Sequence, residues 1–405
     1  MRTVFAVLMP GGENPTIAGL PVRERNRRVL RRAGLVSRDD IPPSADPVLV
    51  VRPSTLVTPA ILDQLPSPHG PSVLVDESGK PVAVWGPGVL LSSRLDGFET
   101  TRFGDTLVVL PRGVAFDVST RGGARQAGRA LVKASGKDTD GWVARNLNRP
   151  VSRAISTVFL RLGFTANHAS GLSLLCALAA AWFATQTSWT SLVAAAALFH
   201  LASVIDGVDG EIARLTFTES PWGSRLDSLV DKSSHLICLV AFGVGWVRTG
   251  LDTPDLVLLG CVGLLLVAAL AQGAQFMRRY APDPSWWIFI DRCVDRAARQ
   301  SGGSAFRMVR FVFALMRRDA FALIFLLLSF AGARTIYVFA LGFGAVVSLA
   351  TFGLQGDRLV AAAAEERRTL EAAAAPGPEE GVQVGAHRPG GWNRAGALEA
   401  PASPK

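Results

Sequence analysis

The chain reads as a soluble α/β domain followed by an α-helical integral membrane bundle of six transmembrane helices. Three observations predict this. Hydrophobic residues fill 49% of the 405 positions, but unevenly: to about residue 140 they mix with polar ones, and from there to about residue 356 long apolar runs dominate. Arginines gather at the ends of those runs. Four carboxylates, Asp206, Asp209, Asp227 and Asp231, stand among them, where unpaired charge is costly and marks function. The resulting division is 1–135 for a cytoplasmic α/β domain, 136–166 for an interfacial amphipathic linker helix, 167–356 for the six-span bundle and 357–405 for a disordered tail.

In the first domain, β-branched runs at 3–10, 48–52, 72–75 and 106–110 predict strands. Helical patterns at 22–33 and 58–65 lie between them, which predicts a mostly parallel sheet. In the linker, Val143, Leu147, Val151, Ile155 and Phe159 recur every four residues with arginines elsewhere, the pattern of a helix lying at a membrane surface. Pro150 marks a helix start or kink.

The spans fall at 168–186, 190–207, 225–248, 254–276, 319–333 and 335–354, near the length that crosses a hydrocarbon core except for a short fifth. Arg145, Arg149, Arg153 and Arg161 precede the first span, Arg278 and Arg279 follow the fourth, Arg317 and Arg318 precede the fifth, and Arg358 follows the sixth. All lie on one side if both termini are cytoplasmic. In the loop 278–318, Trp286 and Trp287 suit headgroup anchoring. The tail, with its A-A-A-A-P-G-P run, is expected to be disordered.

A net charge of +9 raises nucleic acid as a partner. The arginines, however, flank apolar spans rather than aromatic stacking platforms, so membrane lipids and phosphorylated substrates explain the charge better. The four cysteines show no zinc spacing and no disulfide framework. The apolar run after Arg2 breaks at Pro10-Gly11-Gly12, too soon for a secretory leader.

The acids form a spaced pattern, D-x2-D-G-x2-A-R-x8-G-x3-D-x3-D, fixed at Asp206, Asp209, Gly210, Ala213, Arg214, Gly223, Asp227 and Asp231. Residues three or four apart share a helical face, so each acid pair projects together. Four close carboxylates repel and protonate unless cations hold them. Mg²⁺ or Mn²⁺ takes oxygen ligands of this kind and also grips phosphate oxygens. Gly210 and Gly223 leave room for a ligand or a neighbouring helix, and Arg214 offers a planar phosphate donor. The constellation predicts a divalent-ion site for a phosphoanhydride.

At all eight positions the pattern resembles the signature of the CDP-alcohol phosphotransferase family. That resemblance implies displacement of CMP from a CDP-linked donor by an alcohol acceptor, in a homodimeric six-span membrane enzyme. It implies that Asp206, Asp209, Asp227 and Asp231 hold two Mg²⁺ (or Mn²⁺) ions, that Gly210, Ala213, Arg214 and Gly223 line the CDP site, and that Asp231 is the general base. Arg225, Lys232 and Arg317 are candidates for gripping the acceptor; each alone also suits a cation snorkelling to the interface.

The layout resembles fused proteins that join an inositol-phosphate cytidylyltransferase to a di-myo-inositol phosphate phosphate synthase. The stretch from Lys133 to Arg153, paired with T-A-N-H-A-S at Thr165–Ser170, carries that likeness, and Arg317–Asp319 adds to it. The element order of the first domain is similar to a sugar-nucleotide nucleotidyltransferase. Its first loop, M-P-G-G-E-N-P-T-I-A-G, is acidic at Glu13 and lacks an early basic residue, and Pro21-Val22-Arg23 stands where a Pro-Lys pair is common. A degenerate domain is therefore expected, with a bifunctional enzyme that makes its own CDP-alcohol as the alternative. A transporter would show inverted repeats, and the acidic motif occurs once. An inactive scaffold would not need all eight positions.

Overall fold

The computed structural model describes residues 4–67, 69–92, 106–137, 140–280, 292–294, 296–297, 311–312, 314–315, 317–332, 334–354 and 356–374; between 221 and 235 it describes side chains only at Gly223, Val230, Ser233 and Ser234. The expectation for Trp286 and Trp287 lies outside these residues.

The first domain contains β1 (Phe5–Leu8), β2 (Thr16–Ile17), β3 (Leu20–Pro21), α1 (Val22–Arg32), β4 (Val36–Arg38), β5 (Pro47–Val51), β6 (Thr55–Val57), β7 (Ser72–Val75), β8 (Pro81–Pro87), α2 (Gly88–Ser92), β9 (Thr106–Val109), β10 (Ala115–Asp117) and α3 (Arg121–Ala134). The main sheet runs β4-β1-β5-β8-β7-β9. Alternation along its strands builds two cores. Ala6, Leu49, Val51, Leu74 and Trp85 pack on one face with Leu30 of α1, and Val7, Val48, Val50, Val73 and Val84 pack on the other with Leu91.

The sheet is mixed rather than mostly parallel. Strand β8 pairs antiparallel with both β5 and β7, while the β1–β4, β1–β5 and β7–β9 pairs are parallel. The cause is a hairpin after β7: the Asp76 carboxylate accepts the Ser78 and Lys80 amides at 2.9 Å each, and Gly79 takes a φ of 78°, which a side chain would resist. The segment 58–65 forms a 3₁₀ turn, Pro59–Gln64.

The linker turns through a π-helical segment, Ala144–Asn148, into α4 (Arg149–Arg161), with Pro150 in its first turn, where its missing N–H leaves no helical bond unmade. Of the expected apolar stripe, Leu147 and Val151 are exposed, while Ile155 and Phe159 pack against Ala169, Val208 and Ile212. Beside them Arg149, Ser152 and Ser156 are also buried, so the inward side of α4 carries a polar row.

Next come α5 (Ala166–Ala184), α6 (Trp189–Thr216), α7 (Pro221–Val247), α8 (Thr253–Tyr280), α9 (Arg318–Phe330), α10 (Arg334–Leu354) and α11 (Gly356–Ala374). Among the described residues, four helices are long and apolar enough to cross a membrane: α5, α6, α8 and the Arg334–Gly353 stretch of α10. The other two expected spans fall short for identifiable reasons. The first half of α7 carries the second acid pair and leaves Leu236–Val247 as its apolar part, and α9 has 13 residues. Small side chains let the helices approach closely. Ala180, Ala195 and Ala196 join Phe199, Phe242, Phe325 and Tyr337 in one core, and a Cβ on Gly245 would lie 1.9 Å from the Ala184 carbonyl oxygen. At the far end of the bundle, Trp189 Nε1 donates to the Phe330 carbonyl at 3.2 Å.

The segment after 356 opens as helix α11 rather than as coil. Its Ala-, Glu- and Arg-rich run favours helix, Leu359, Ala362 and Ala363 are buried beside Phe276, and Glu366 accepts Arg292 Nη1 at 3.0 Å and Arg296 Nη2 at 2.8 Å. Residues 375–405 lie outside the described residues.

Candidate active site

Helix α6 starts apolar and ends in the motif. Ser188 caps its N-terminus by accepting the Ser191 amide at 3.1 Å. Phe217 ends it with a left-handed φ of 57°. Between these, Asp206, Asp209 and Gly210 share a face that lines a cleft of about 230 Å³, together with Arg214, Arg317, Lys137 and Asp140. The Asp206 carboxylate lies 2.9 Å from Arg318 Nη1 at the start of α9. The buried Asp209 accepts the Ser170 hydroxyl of α5 at 2.6 Å.

Gly210 has a local reason. A Cβ there would sit 3.0 Å from Arg214 Nη1, so the glycine keeps the space in which the guanidinium lies. Arg214 is buried, donates from Nε to the Ser135 carbonyl at 2.7 Å, and leaves Nη2 without a partner among the described residues. Ala213, whose carbonyl accepts the Thr218 amide at 3.0 Å, does not line the cleft. Neither does the exposed Gly223, whose amide donates to the Ser220 hydroxyl at 2.9 Å and so caps the start of α7. Asp227, Asp231, Arg225 and Lys232 all sit on α7 with side chains outside the described ones. The cleft thus brings together Asp206, Asp209, Gly210, Arg214 and Arg317 of the predicted site.

A fifth acid, inside the motif but at one of its variable positions, escaped the sequence reading. Glu211 is fully buried and accepts Arg149 Nη1 at 2.8 Å, Ser152 Oγ at 2.8 Å and Ser156 Oγ at 2.7 Å, all from the linker segment. Arg149 also grips Asp140 through two bonds of 2.6 and 2.8 Å, a planar fork on a carboxylate. Burial alone would push the Asp140 carboxyl up, but the bonds and charge of Arg149 hold it below the usual carboxylate range. Burial would likewise depress Arg149, yet Asp140 and Glu211 raise it. On the linker side the one local signal was Arg149, Ser152 and Ser156 recurring at three- and four-residue spacing.

Two carboxylates from one helical face, opening on a cleft, suit a hard divalent cation. Among the described residues no three acids, cysteines or histidines come together in a metal-holding group, and the second acid pair has its side chains outside them. The donors present fit half of such a site.

A sequence model of the CDP-alcohol phosphatidyltransferase family matches residues 164–346. Proteins named bifunctional IPC transferase and DIPP synthase are similar over shorter stretches. The Archaeoglobus fulgidus protein is 32% identical over 134 residues, covering 33% of this chain and 26% of that protein. The Thermococcus kodakarensis protein is 35% identical over 129 residues, 31% and 29% respectively, and that of Aquifex aeolicus 35% over 117 residues, 29% and 26%. The match thus spans under a third of those relatives' length.

Proposed function

We propose, from the match of the CDP-alcohol phosphatidyltransferase family model to residues 164–346, that the protein transfers a phospho-alcohol group from a CDP-linked donor to an alcohol acceptor and releases CMP. The observation that carries this reading is the cleft in which Asp206, Asp209, Gly210 and Arg214 meet at one end of a membrane-length helix. The acceptor oxygen bonds to phosphorus, the anhydride bond to CMP breaks, and Asp231 takes the acceptor's hydroxyl proton. Asp206, Asp209, Asp227 and Asp231 would hold two Mg²⁺ or Mn²⁺ ions, which when bound neutralise pyrophosphate charge. Arg214, with its free Nη2 among the described residues, and Gly210 serve the CDP moiety; Ala213 and Gly223, which stand off the cleft lining, are assigned to it on the motif pattern alone. Arg317, Arg225 and Lys232 serve the acceptor.

The donor is CDP-diacylglycerol or CDP-inositol, and the names of the relatives favour an inositol phosphodiester chemistry. We place α7 and α9 with the four long helices in a six-span bundle, both termini on the cytoplasmic side, in a homodimer. The first domain is read as degenerate rather than as a maker of CDP-alcohol: Arg23, its nearest basic side chain, spends Nη2 on the Met9 and Gly11 carbonyls, both at 3.3 Å.

The test is CMP release by purified protein in detergent or lipid with Mg²⁺. Each donor is offered separately with inositol, inositol phosphate or glycerol phosphate, and Asp231→Asn is run in parallel. Release that depends on one donor–acceptor pair and is lost in the variant supports the reading. Release undiminished in Asp231→Asn removes the base assignment, and no release from any pair returns the scaffold reading.

A further inference from the structure

The soluble domain grips the turn between the two acid-bearing helices. Arg28 Nη1 donates to the Thr216 carbonyl at 2.7 Å, and Arg32 Nη1 lies 2.8 Å from Glu219 Oε2. The Phe217 ring lies against two guanidinium groups, 5.5 Å from that of Arg25 and 4.8 Å from that of Arg32, within cation–π range. Leu215 is fully buried in the soluble domain's own cluster with Ile17, Val22, Leu56 and Phe116.

The backbone is strained at the same place. Among the described residues, the two non-glycine positions with positive φ are Ala18 (47°) and Phe217 (57°). Both lie in this contact, since Arg25 donates to the Ala18 carbonyl at 2.8 Å and the neighbouring Gly19 packs against Leu160 and Thr216. Such backbone persists only where the surroundings over-determine it.

The gripped residues are the variable gap of the motif, between Arg214 and Gly223. This gap fixes how α7, with Asp227 and Asp231, leaves α6, with Asp206 and Asp209. We propose that α1 of the soluble domain is a positioning element for the phosphotransfer site, its Arg28 and Arg32 setting the α6–α7 turn so that the two acid pairs meet at one ion site. This rests on the ion-binding reading given above.

The experiment measures Mn²⁺ binding by electron paramagnetic resonance, without substrate, alongside the KM and kcat of CMP release. The proteins are the wild type, Arg32→Glu, Glu219→Arg and the double charge swap. Each single variant is expected to bind Mn²⁺ about fivefold more weakly, the size of one lost and inverted surface pair. The swap is expected to recover most of this while the thermal midpoint stays within about 2 °C of wild type. If Arg32→Glu fails to fold, Arg32→Gln takes its place with about a twofold loss expected. Unchanged Mn²⁺ binding in the single variants, or a swap no better than either, overturns the positioning role. A wild type that binds no Mn²⁺ overturns the ion site itself, which is a separable failure.

Discussion

Replacing Glu211 with Ala should destabilise the membrane domain severely, since it removes the shared partner of Arg149 and Ser152 at the cleft wall and of Ser156 behind them. Its carboxylate is fully buried and holds three bonds of 2.8, 2.8 and 2.7 Å. The bond to Arg149 is charge-assisted, worth about 1.5–3 kcal/mol, and each serine bond is worth about 1 kcal/mol. Removing one partner of a buried pair costs about 3–5 kcal/mol in total, because the other charge stays buried. Arg149 keeps Asp140, which places the loss near the middle of that range. At about 2–4 °C per kcal/mol for a unit of this size, the thermal midpoint should fall by about 10 °C. Intrinsic fluorescence of the nine tryptophans in detergent reads it directly. Glu211→Gln keeps an acceptor for the serines and should lose about half as much. An Ala variant that melts within about 2 °C of wild type would refute the network as a stabilising element.

Three further outcomes are expected. Asp206→Asn and Asp209→Asn should each lower CMP release by about 10²–10³ while the fold is kept, measured as kcat at saturating donor. Gly210→Ala should raise the KM for the CDP-linked donor by about tenfold, because the new Cβ would lie 3.0 Å from Arg214 Nη1 and push the guanidinium aside. The folded Asp140 carboxyl titrates below its ordinary value. Its pairing therefore contributes stability that is complete above about pH 4 and lost as pH falls through the lower folded value. A melting series should show that acid limb in the wild type and a smaller one in Asp140→Asn.

The site was legible because its signal is local. Asp206, Asp209, Gly210 and Arg214 lie within nine residues of one helix, and helical periodicity alone puts them on one cleft. Glu211 was not legible, because its partner Arg149 is 62 residues away and no spacing rule joins them. The first domain's strands β1, β5, β7 and β9 and its helix α1 followed from β-branched runs and helical patterning, but β8 reverses the sheet through a turn whose strand-pairing sense such patterns do not encode. The expected spans and the four helices of spanning length among the described residues differ where composition and length diverge, since α7 gives its first half to the acid motif. The tail was read by its Pro and Gly content, and helix propensity in the Ala-rich run before them won locally.

Helix α9 covers 13 residues between Arg318 at the cleft and Phe330, where Trp189 of α6 is tied on. At 1.5 Å per residue that is about 20 Å, against a hydrocarbon core of about 30 Å. In the six-span arrangement proposed above, an α9 of this length would hold Arg318 and Asp206 at acyl-chain depth rather than above the bilayer, in a recess that headgroups enter by dipping. For a lipid-linked substrate the relevant quantity is then its mole fraction in the leaflet. Rates should follow surface dilution with inert detergent or lipid at constant bulk concentration, and bilayers of shorter chain length should favour turnover by bringing the interface to the charges.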